Sequence, residues 1–383
     1  DPGSFVTKKN EYGKNVIEQD GDFLYLLGDG YSDDGIHPFV DQMNIKTMKT
    51  VRLYQSKMEG KLESISTSIS MKKGEILTRV ESPTDYPNYY IRNIKKRMAP
   101  RQITFVENPF KGMEDIHKEV IQYKREDGLE LSAVMYLPPG YDMKNPEKLP
   151  MLMWAYPEEF KDKSSAGQVT NSPYEFIYPY YGSFVYWVNK GYVVLDDVSF
   201  PIVGEGDKEP NDSFIPQLVG NAKAAIDAVD ELGYVDRNRV AVGGHSYGAF
   251  MTANLLTHSD LFAAGIARSG AYNRTLTPFG FQSEERNYWE APEIYYTMAP
   301  FMHAEKMKHP LLLIHGGADN NSGTYTMQSE RYFNALKGLG ATTRLVILPK
   351  ESHGYAAKES IMHMLWEQDV WLEKYVKNRK PAE

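Results

Sequence analysis

The stretch Gly244-His245-Ser246-Tyr247-Gly248 decides the fold of this chain. An apolar run at residues 240–243 precedes it, and small and apolar residues at 249–256 follow it. This order predicts a buried strand, a tight turn with Ser246 at its apex, and a helix. A serine at such an apex has a strained backbone, and glycine on both sides removes side chains that would collide across the turn. The serine hydroxyl is then exposed above the sheet.

The chain around this motif alternates apolar strands with helical patterns. Residues 119–123 and 131–137 flank an Asp127-Gly128 turn and predict an antiparallel hairpin. Continuous apolar runs typical of parallel strands follow at 149–155, 192–195, 240–243, 263–267, 311–314 and 343–348. Helices are predicted at 217–232, 326–336 and 359–376. Together with the serine turn, this alternation predicts an α/β-hydrolase fold with a doubly wound sheet.

Residues 1–115 show a different pattern, in which short strands are separated by Gly, Asp, Asn and Lys turns. The predicted strands lie at 23–27, 39–43, 50–54, 75–80 and 88–93. A propeller blade has four strands in roughly 40–45 residues, so this segment has room for two blades. Because a closed propeller has at least four blades, we expect the last blades of a longer β-propeller, or alternatively a small standalone β-sheet domain. The predicted domains are a partial propeller at 1–115 and a hydrolase domain at 116–383.

Composition excludes several classes of protein. Hydrophobic residues make up 42% of the 383 residues, which is enough for a packed core. The net charge of −8 is spread without basic blocks, so we expect no nucleic-acid partner. The chain has no cysteine, so we expect no thiol chemistry. It has no apolar run of about 18 residues, so we expect no membrane span. Histidines and carboxylates show no metal-type spacing, and we expect neither a metal nor a cofactor. Because the chain begins Asp1-Pro2-Gly3, we also expect a processed or truncated product.

A serine nucleophile needs a base, and the base needs an orienting acid. In an α/β-hydrolase fold the partners follow in the order serine, acid, histidine, each on a loop after a strand. Asp319 and His353 meet that order, and both lie at the carboxyl ends of predicted parallel strands. We therefore predict Ser246 as nucleophile, His353 as general base and Asp319 as the orienting carboxylate. Glu351 is an alternative acid that the order of elements disfavours.

Each of these residues also has a simpler interpretation. Asp319 suits a turn former, and His353, followed by glycine, suits an ordinary loop residue. Two further histidines lie nearby in the sequence. We interpret His315 as a brace of its own loop and His245 as a packing residue of the serine turn.

The residues around the serine resemble the prolyl oligopeptidase family of serine peptidases. Gly-Gly-His-Ser-Tyr-Gly-Ala-Phe-Met at 243–251 is similar to that family's nucleophile elbow, and residues 266–282, 327–331 and 351–355 are similar to its glutamyl endopeptidase branch. The resemblance covers nearly all of 117–376 and is weaker over the first 110 residues. It implies a peptidase whose propeller caps the site and limits substrates to peptides or unfolded polypeptides, although this chain lacks most of such a propeller. It also implies a soluble protein of the bacterial periplasm or cytoplasm.

The resemblance further suggests which groups stabilise the oxyanion. One donor is the backbone N–H of Tyr247, the residue after the nucleophile. In much of the family the second is a tyrosine hydroxyl on the loop after the first parallel strand. That loop reads Trp154-Ala155-Tyr156-Pro157-Glu158-Glu159 and has Trp154 at the usual tyrosine place. We take Tyr156 as the second donor, with core packing as its alternative role.

Cleavage after an acidic residue requires a cation in the specificity pocket. Arg274 and Arg286 lie in the segment that borders this pocket in the family, so we predict that they bind substrate; pairing with nearby glutamates is the alternative. The pair Glu158-Glu159 suits an alternative role in binding a substrate amino terminus. The sequence thus predicts a serine peptidase that favours Glu or Asp before the cleaved bond. An esterase of the same fold, and an interaction module with a vestigial hydrolase part, remain alternatives; the oligomeric state is open.

Overall fold

A computed structural model describes residues 2–32, 35–57, 60–96 and 98–379. They form two compact units. One runs to Glu114 and includes Gln168–Tyr178, and the other comprises Asp115–Gly167 and the chain from Pro179 onward. The sequence analysis assigned 168–178 to the hydrolase domain, but these residues pack within the first unit. The Phe176 N–H donates to the Glu81 carboxylate at 3.1 Å, and the Phe176 ring meets Tyr86 edge-on at 5.2 Å.

The first unit consists of antiparallel strands in two main sheets. One sheet has the order Ser4–Phe5, Phe23–Gly28, Phe39–Asn44, Thr50–Gln55, with Gln19–Asp20 paired to the second of these. The other has the order Leu62–Ser70, Glu75–Glu81, Asn88–Asn93, Arg101–Gln102. Two-stranded ladders join Thr7–Lys9 to Asn15–Ile17 and Tyr31–Ser32 to Gly35–Ile36. Propeller blades are four-stranded antiparallel sheets; the second sheet has four strands and the first has four in its main order and Gln19–Asp20 beside them, and membership of a propeller stays a prediction.

The two meanders share one small core. Tyr25 and Val40 of the first sheet pack with Ile76 of the second sheet and with Met71, which directly follows the first strand of that second sheet. All five strands predicted for this unit are present. Leu62–Ser70 is an additional strand that the prediction missed.

The second unit is an eight-stranded sheet covered by helices. Its strands are β1 (His117–Lys124), β2 (Glu130–Leu137), β3 (Leu149–Ala155), β4 (Val193–Val198), β5 (Val235–His245), β6 (Ala264–Arg268), β7 (Leu311–Gly316) and β8 (Thr343–Leu348). Their order is β1-β2-β4-β3-β5-β6-β7-β8. The strands β1 and β2 are antiparallel, and β3 to β8 run parallel to one another. The predicted α/β-hydrolase fold with a β-rich N-terminal segment is confirmed.

Helices connect the strands of this sheet and pack against it. They are α1 (Lys163–Ala166), α2 (Phe214–Glu231), α3 (Tyr247–His258), α4 (Pro292–Met298), α5 (Met327–Gly338) and α6 (Lys358–Leu372). Short 3-10 turns of this unit lie at Val185–Lys190, Pro210–Ser213, Arg274–Leu276 and Pro300–Lys306, and a π turn lies at Glu373–Lys377; a further 3-10 turn, Lys111–Met113, belongs to the first unit. A two-stranded parallel ladder joins Glu158–Phe160 to Pro201–Val203. Residues 247–257 of α3 are all buried, which explains why this segment carries almost no charge. Among the described residues, no helix has both the length and the apolar character needed to cross a membrane.

Candidate active site

Ser246 stands between β5 and α3 in a conformation that residues other than glycine rarely adopt, with φ 58° and ψ −114°. Its N–H donates to the carbonyl of Arg268, which ends β6, at 2.8 Å. A Cβ atom at Gly244 would lie 2.3 Å from the carbonyl carbon of Gly248, and one at Gly248 would lie 2.5 Å from the oxygen of Ala155. Both glycines of the motif are therefore required, because the turn brings backbone atoms into contact.

The structure brings the predicted acid and base together. Nδ1 of His353 lies 2.8 Å from Oδ2 of Asp319. The Asp319 side chain is fully buried after β7, and its Oδ1 accepts the N–H of Asn321 at 2.9 Å. His353 follows β8, and its ring centroid lies 4.7 Å from that of His245, the residue before Ser246. The histidine is thus held by the carboxylate on one side and lies beside the serine turn on the other.

A second histidine meets the same carboxylate oxygen. Nε2 of His315 lies 3.0 Å from Oδ2 of Asp319 and 2.7 Å from the carbonyl oxygen of Thr324. Its Nδ1 lies 2.6 Å from Oγ of Ser329, and the ring is fully buried. Sequence reasoning interpreted His315 only as a brace of its loop and missed this contact. The sequence feature that could have predicted this contact is the spacing of four residues between His315 and Asp319, directly after the apolar run at 311–314.

Glu351 and His245 have other roles. The Glu351 carboxylate accepts the N–H groups of Ala356 at 2.8 Å and Ala357 at 3.0 Å, just before α6. These backbone donors hold the pKa of Glu351 below its usual range. Burial, with the Arg268 charge nearby, lowers the pKa of His245 to about 3, so this imidazole is neutral. Glu351 therefore stabilises its own loop, and His245 packs as an uncharged neighbour of the site.

The two residues predicted to supply the oxyanion donors are neighbours whose rings contact each other. Tyr247 is the first residue of α3, where backbone N–H groups have no acceptor within the helix. Its buried phenol donates to Oε1 of Glu159 at 2.8 Å. Tyr156 is 45% exposed, so it is not a core residue, and its ring centroid lies 5.9 Å from that of Tyr247. Its hydroxyl oxygen accepts from Nε2 of Gln282 at 3.1 Å.

Two residues that the sequence analysis placed on the loop after the first parallel strand have other roles, and Trp154 lies within β3 rather than after it. Trp154, at the place of the family's tyrosine, carries no hydroxyl, and the buried guanidinium of Arg268 stacks on its ring at 4.1 Å. The Glu159 carboxylate takes the Tyr247 hydrogen bond, and burial raises its pKa. Glu159 is therefore a partner of the helix that follows Ser246, whereas Glu158 is exposed.

A cavity of about 360 Å³ opens beside the serine. Ser246, Arg274, Phe279, Gln282, Asn321 and Tyr325 contribute to its wall. The Arg274 guanidinium lies 4.0 Å from the ring centroid of Phe250 and 4.4 Å from that of Phe281. Its Nε has no hydrogen-bond partner, and it forms no ion pair with any residue in the described part of the chain. Burial lowers its pKa to about 10, so Arg274 is still a cation at neutral pH.

Arg286 does not line this cavity. Its Nε and Nη2 donate to the two carboxylate oxygens of Glu284 at 2.7 Å and 2.8 Å, and its Nη1 donates to Asp212 at 2.8 Å. The guanidinium is fully engaged by these carboxylates. The structure therefore favours the alternative role for Arg286, pairing with a nearby glutamate, over substrate binding. Across the described ranges, no group of three or more histidine and carboxylate side chains is arranged to hold a metal ion.

The chain has close relatives among known proteins. It is 49% identical over 390 residues to a probable glutamyl endopeptidase, chloroplastic, of Arabidopsis thaliana, and 49% identical over 391 residues to the protein of the same name from Oryza sativa subsp. japonica. Each alignment covers 98% of this chain. The chain spans only 40% and 41% of the length of these two relatives.

Solved structures share the fold at low sequence identity. Porphyromonas gingivalis dipeptidyl peptidase 4 superposes with a TM-score of 0.70 at 18% identity, over 97% of this chain and 50% of that one. An acylaminoacyl peptidase of Pyrococcus horikoshii superposes with a TM-score of 0.66 at 21% identity, over 95% of this chain and 56% of that one. Residues 219–379, which contain the serine turn, Asp319 and His353, match the profile of the prolyl oligopeptidase family. The resemblance read from the sequence is thereby confirmed, and the chain belongs to the prolyl oligopeptidase family, a family of serine peptidases.

Proposed function

We propose that this chain is a serine peptidase that cleaves peptide bonds after Glu or Asp by way of an acyl-enzyme on Ser246. The observation that carries the proposal is the Arg274 guanidinium, a buried cation in the wall of the cavity beside Ser246 that forms no ion pair with the described residues, although the Glu159 carboxylate acts on its charge from beyond contact distance. The two relatives that are 49% identical are both named as probable glutamyl endopeptidases, in agreement with this specificity.

The proposed reaction begins with proton transfer from Ser246 to His353. The serine oxygen attacks the scissile carbonyl, and the imidazolium that forms is stabilised by Asp319 at 2.8 Å. His353 then protonates the leaving amine, which gives the acyl-enzyme and the first product. Water attacks the ester with His353 again as base, and the second product carries the new carboxylate. The strained turn supports this role because it fixes Ser246 before substrate arrives.

Two groups are proposed to stabilise the oxyanion. The Tyr247 N–H is a first-turn amide of α3, and such amides are available to an anion at the helix N-terminus. The Tyr156 hydroxyl accepts its hydrogen bond from Gln282, so its own proton is available for donation. Each preorganised donor of this kind contributes on the order of 3 kcal/mol to stabilisation of the transition state.

Recognition of the acidic residue is assigned to Arg274. The planar fork of a guanidinium binds a carboxylate through two parallel hydrogen bonds, which gives geometric selectivity as well as charge complementarity. The guanidinium packs against the rings of Phe250 and Phe281, so less freedom is lost when the substrate binds. The proposed substrates are peptides or unfolded polypeptides, and the β-rich first unit is proposed to be part of a propeller.

Labelling with a fluorophosphonate probe tests the chemistry, with Ser246→Ala as the matched control. We expect one equivalent of label on the 383-residue chain and none on the variant. Peptide nitroanilides that end in Glu, Gln or Ala then test the specificity, and Glu is expected to be preferred. Hydrolysis of short acyl esters without cleavage of any of these peptides would favour the esterase. Absence of labelling would favour an interaction module with a vestigial hydrolase part.

A further inference from the structure

We propose that His315 is a positioning residue of the catalytic triad, because its Nε2–H holds the Asp319 carboxylate in the orientation that His353 requires. The inference rests on the proposed function and adds a fourth side chain to the three of the triad. It is carried by the arrangement of three groups around the buried carboxylate: His315, His353 and the Asn321 N–H.

The protonation of His315 follows from its partners. Nε2 lies 2.7 Å from the carbonyl oxygen of Thr324, which can only accept, so this nitrogen carries a hydrogen. The same hydrogen is shared with Oδ2 of Asp319 at 3.0 Å. Burial lowers the pKa of His315, which keeps the ring neutral, so Nδ1 has a free lone pair. The Ser329 hydroxyl donates to that lone pair at 2.6 Å and fixes the tautomer.

The three donors leave the carboxylate little freedom. Oδ2 of Asp319 receives N–H groups from His353 and His315, and Oδ1 receives the N–H of Asn321. His315 is the penultimate residue of β7, and Ser329 lies on α5, so the bracing groups belong to rigid elements. Both the His315 and Ser329 side chains are fully buried. Without His315, Oδ2 would lose one of its two donors and Asp319 would be held mainly by the Asn321 N–H, so His353 would be oriented less firmly, with the Thr324 hydroxyl at 3.2 Å as the other group near its Nδ1.

The experiment compares three variants of the 383-residue chain. His315→Phe removes the donor and keeps an aromatic ring of similar size. His315→Gln keeps an N–H close to the Nε2 position. His303→Phe is the matched control, because His303 is also buried, its Nε2 has no partner, and it does not contact Asp319.

Two readouts separate positioning from general stability. The first is kcat and KM for a Glu peptide, normalised to the sites titrated by the fluorophosphonate. We expect His315→Phe to lower kcat about ten- to hundredfold with little change in KM, His315→Gln to recover most of the loss, and His303→Phe to leave kcat unchanged. The second readout is the low-field NMR resonance of the His353 Nδ1–H, which we expect to be sharp in the parent chain and lost by exchange in His315→Phe.

The two proposals fail in different ways. A His315→Phe variant with parental kcat per titrated site and a sharp His353 resonance would overturn the positioning role. So would a loss in kcat that His315→Gln does not recover. If the parent chain is neither labelled nor active, the proposed function fails, and the NMR comparison alone then decides whether His315 orders His353.

Discussion

Replacing Arg274 by methionine is the sharpest test of the proposed specificity. Methionine is unbranched and uncharged and matches the arginine side chain as far as Nε, so it fills the apolar part of the site beside Phe250 and Phe281 without the guanidinium. The change removes the only feature of the cavity wall to which we assign recognition of a carboxylate. We compare peptides that differ only in Glu or Gln before the cleaved bond, because the two side chains have the same shape.

The size of the effect follows from the surroundings of Arg274. Arg274 forms no ion pair within the described residues, and the Glu159 carboxylate that acts on its charge accepts a hydrogen bond from Tyr247 instead, so a substrate carboxylate does not have to displace a bound partner. Removing one partner of a buried, hydrogen-bonded ion pair costs about 3–5 kcal/mol. At about 1.4 kcal/mol for each factor of ten, the ratio of kcat/KM for Glu over Gln should fall roughly a hundredfold to several thousandfold. Arg274→Lys should recover only part of that ratio, because a point charge replaces the fork.

Arg286→Met is the matched control, since Arg286 lies in the same segment but pairs with Glu284 and Asp212. The control should keep the parental ratio. The assay is initial-rate kinetics on sites titrated with the fluorophosphonate. If Arg274→Met keeps the Glu-over-Gln ratio within about threefold, or if Arg286→Met removes it, the assignment of the pocket is wrong.

Two further changes test the turn and the triad. Gly248→Ala places a Cβ 2.5 Å from the oxygen of Ala155, so we expect it to lower the free energy of unfolding by about 1–3 kcal/mol or more. In Gly338→Ala, the control, the added Cβ has nothing within 4 Å, so the free energy of unfolding should rise by about 0.4–1 kcal/mol. Denaturant titrations measure both changes. Asp319→Asn should lower kcat about 10⁴-fold with little change in KM, because the amide favours the wrong tautomer of His353; a loss below tenfold would contradict the triad.

The sequence predicted the elements whose signal is local. The run at 240–243 marks the centre of β5, which extends from Val235 to His245. The ends of β5 carry polar residues and cannot be recognised from hydrophobicity. Leu62–Ser70 was missed for a related reason. From Ser64 to Ser70 serine alternates with Ile, Thr and Ile, which is the period of a strand, but most residues of the segment are polar and the apolar positions are few. The alternation itself was the available signal.

The roles of the two arginines could not be separated from the sequence. Both lie in one polar segment with glutamates close by. Glu284, two residues before Arg286, is visible in the sequence as a partner, but Asp212 lies 74 residues away and meets Arg286 only in the folded chain. The rings that surround Arg274 come from α3 and from the segment beyond it, and no spacing rule predicts that they enclose it. The sequence identified Arg274 and Arg286 as candidate cations, but only the packing of the folded chain shows that Arg286 forms ion pairs and that Arg274 does not.

A comparison with Arg268 shows why an unpaired arginine points to a ligand. Burial lowers the pKa of both Arg268 and Arg274 to about 10, and both stack on aromatic rings. Arg268 also donates to the carbonyls of Tyr181 and Gly182, so its charge is compensated within the fold and its role is structural. Arg274 has no such acceptor in the described chain, so the cost of its buried charge is offset only in part, by stacking worth about 2 kcal/mol and by the Glu159 carboxylate beyond contact distance.

The rest of the free-energy cost of burying the Arg274 charge is removed when a substrate carboxylate binds. Relief of this cost therefore adds to the selectivity for acidic residues. It follows that Arg274→Met should be at least as stable to denaturant as the parent chain although it loses its preference for Glu. Arg286→Met should behave in the opposite way, because it leaves the buried Glu284 carboxylate without its cation. A loss of stability in Arg274→Met equal to that in Arg286→Met would show that Arg274 holds the fold rather than the substrate.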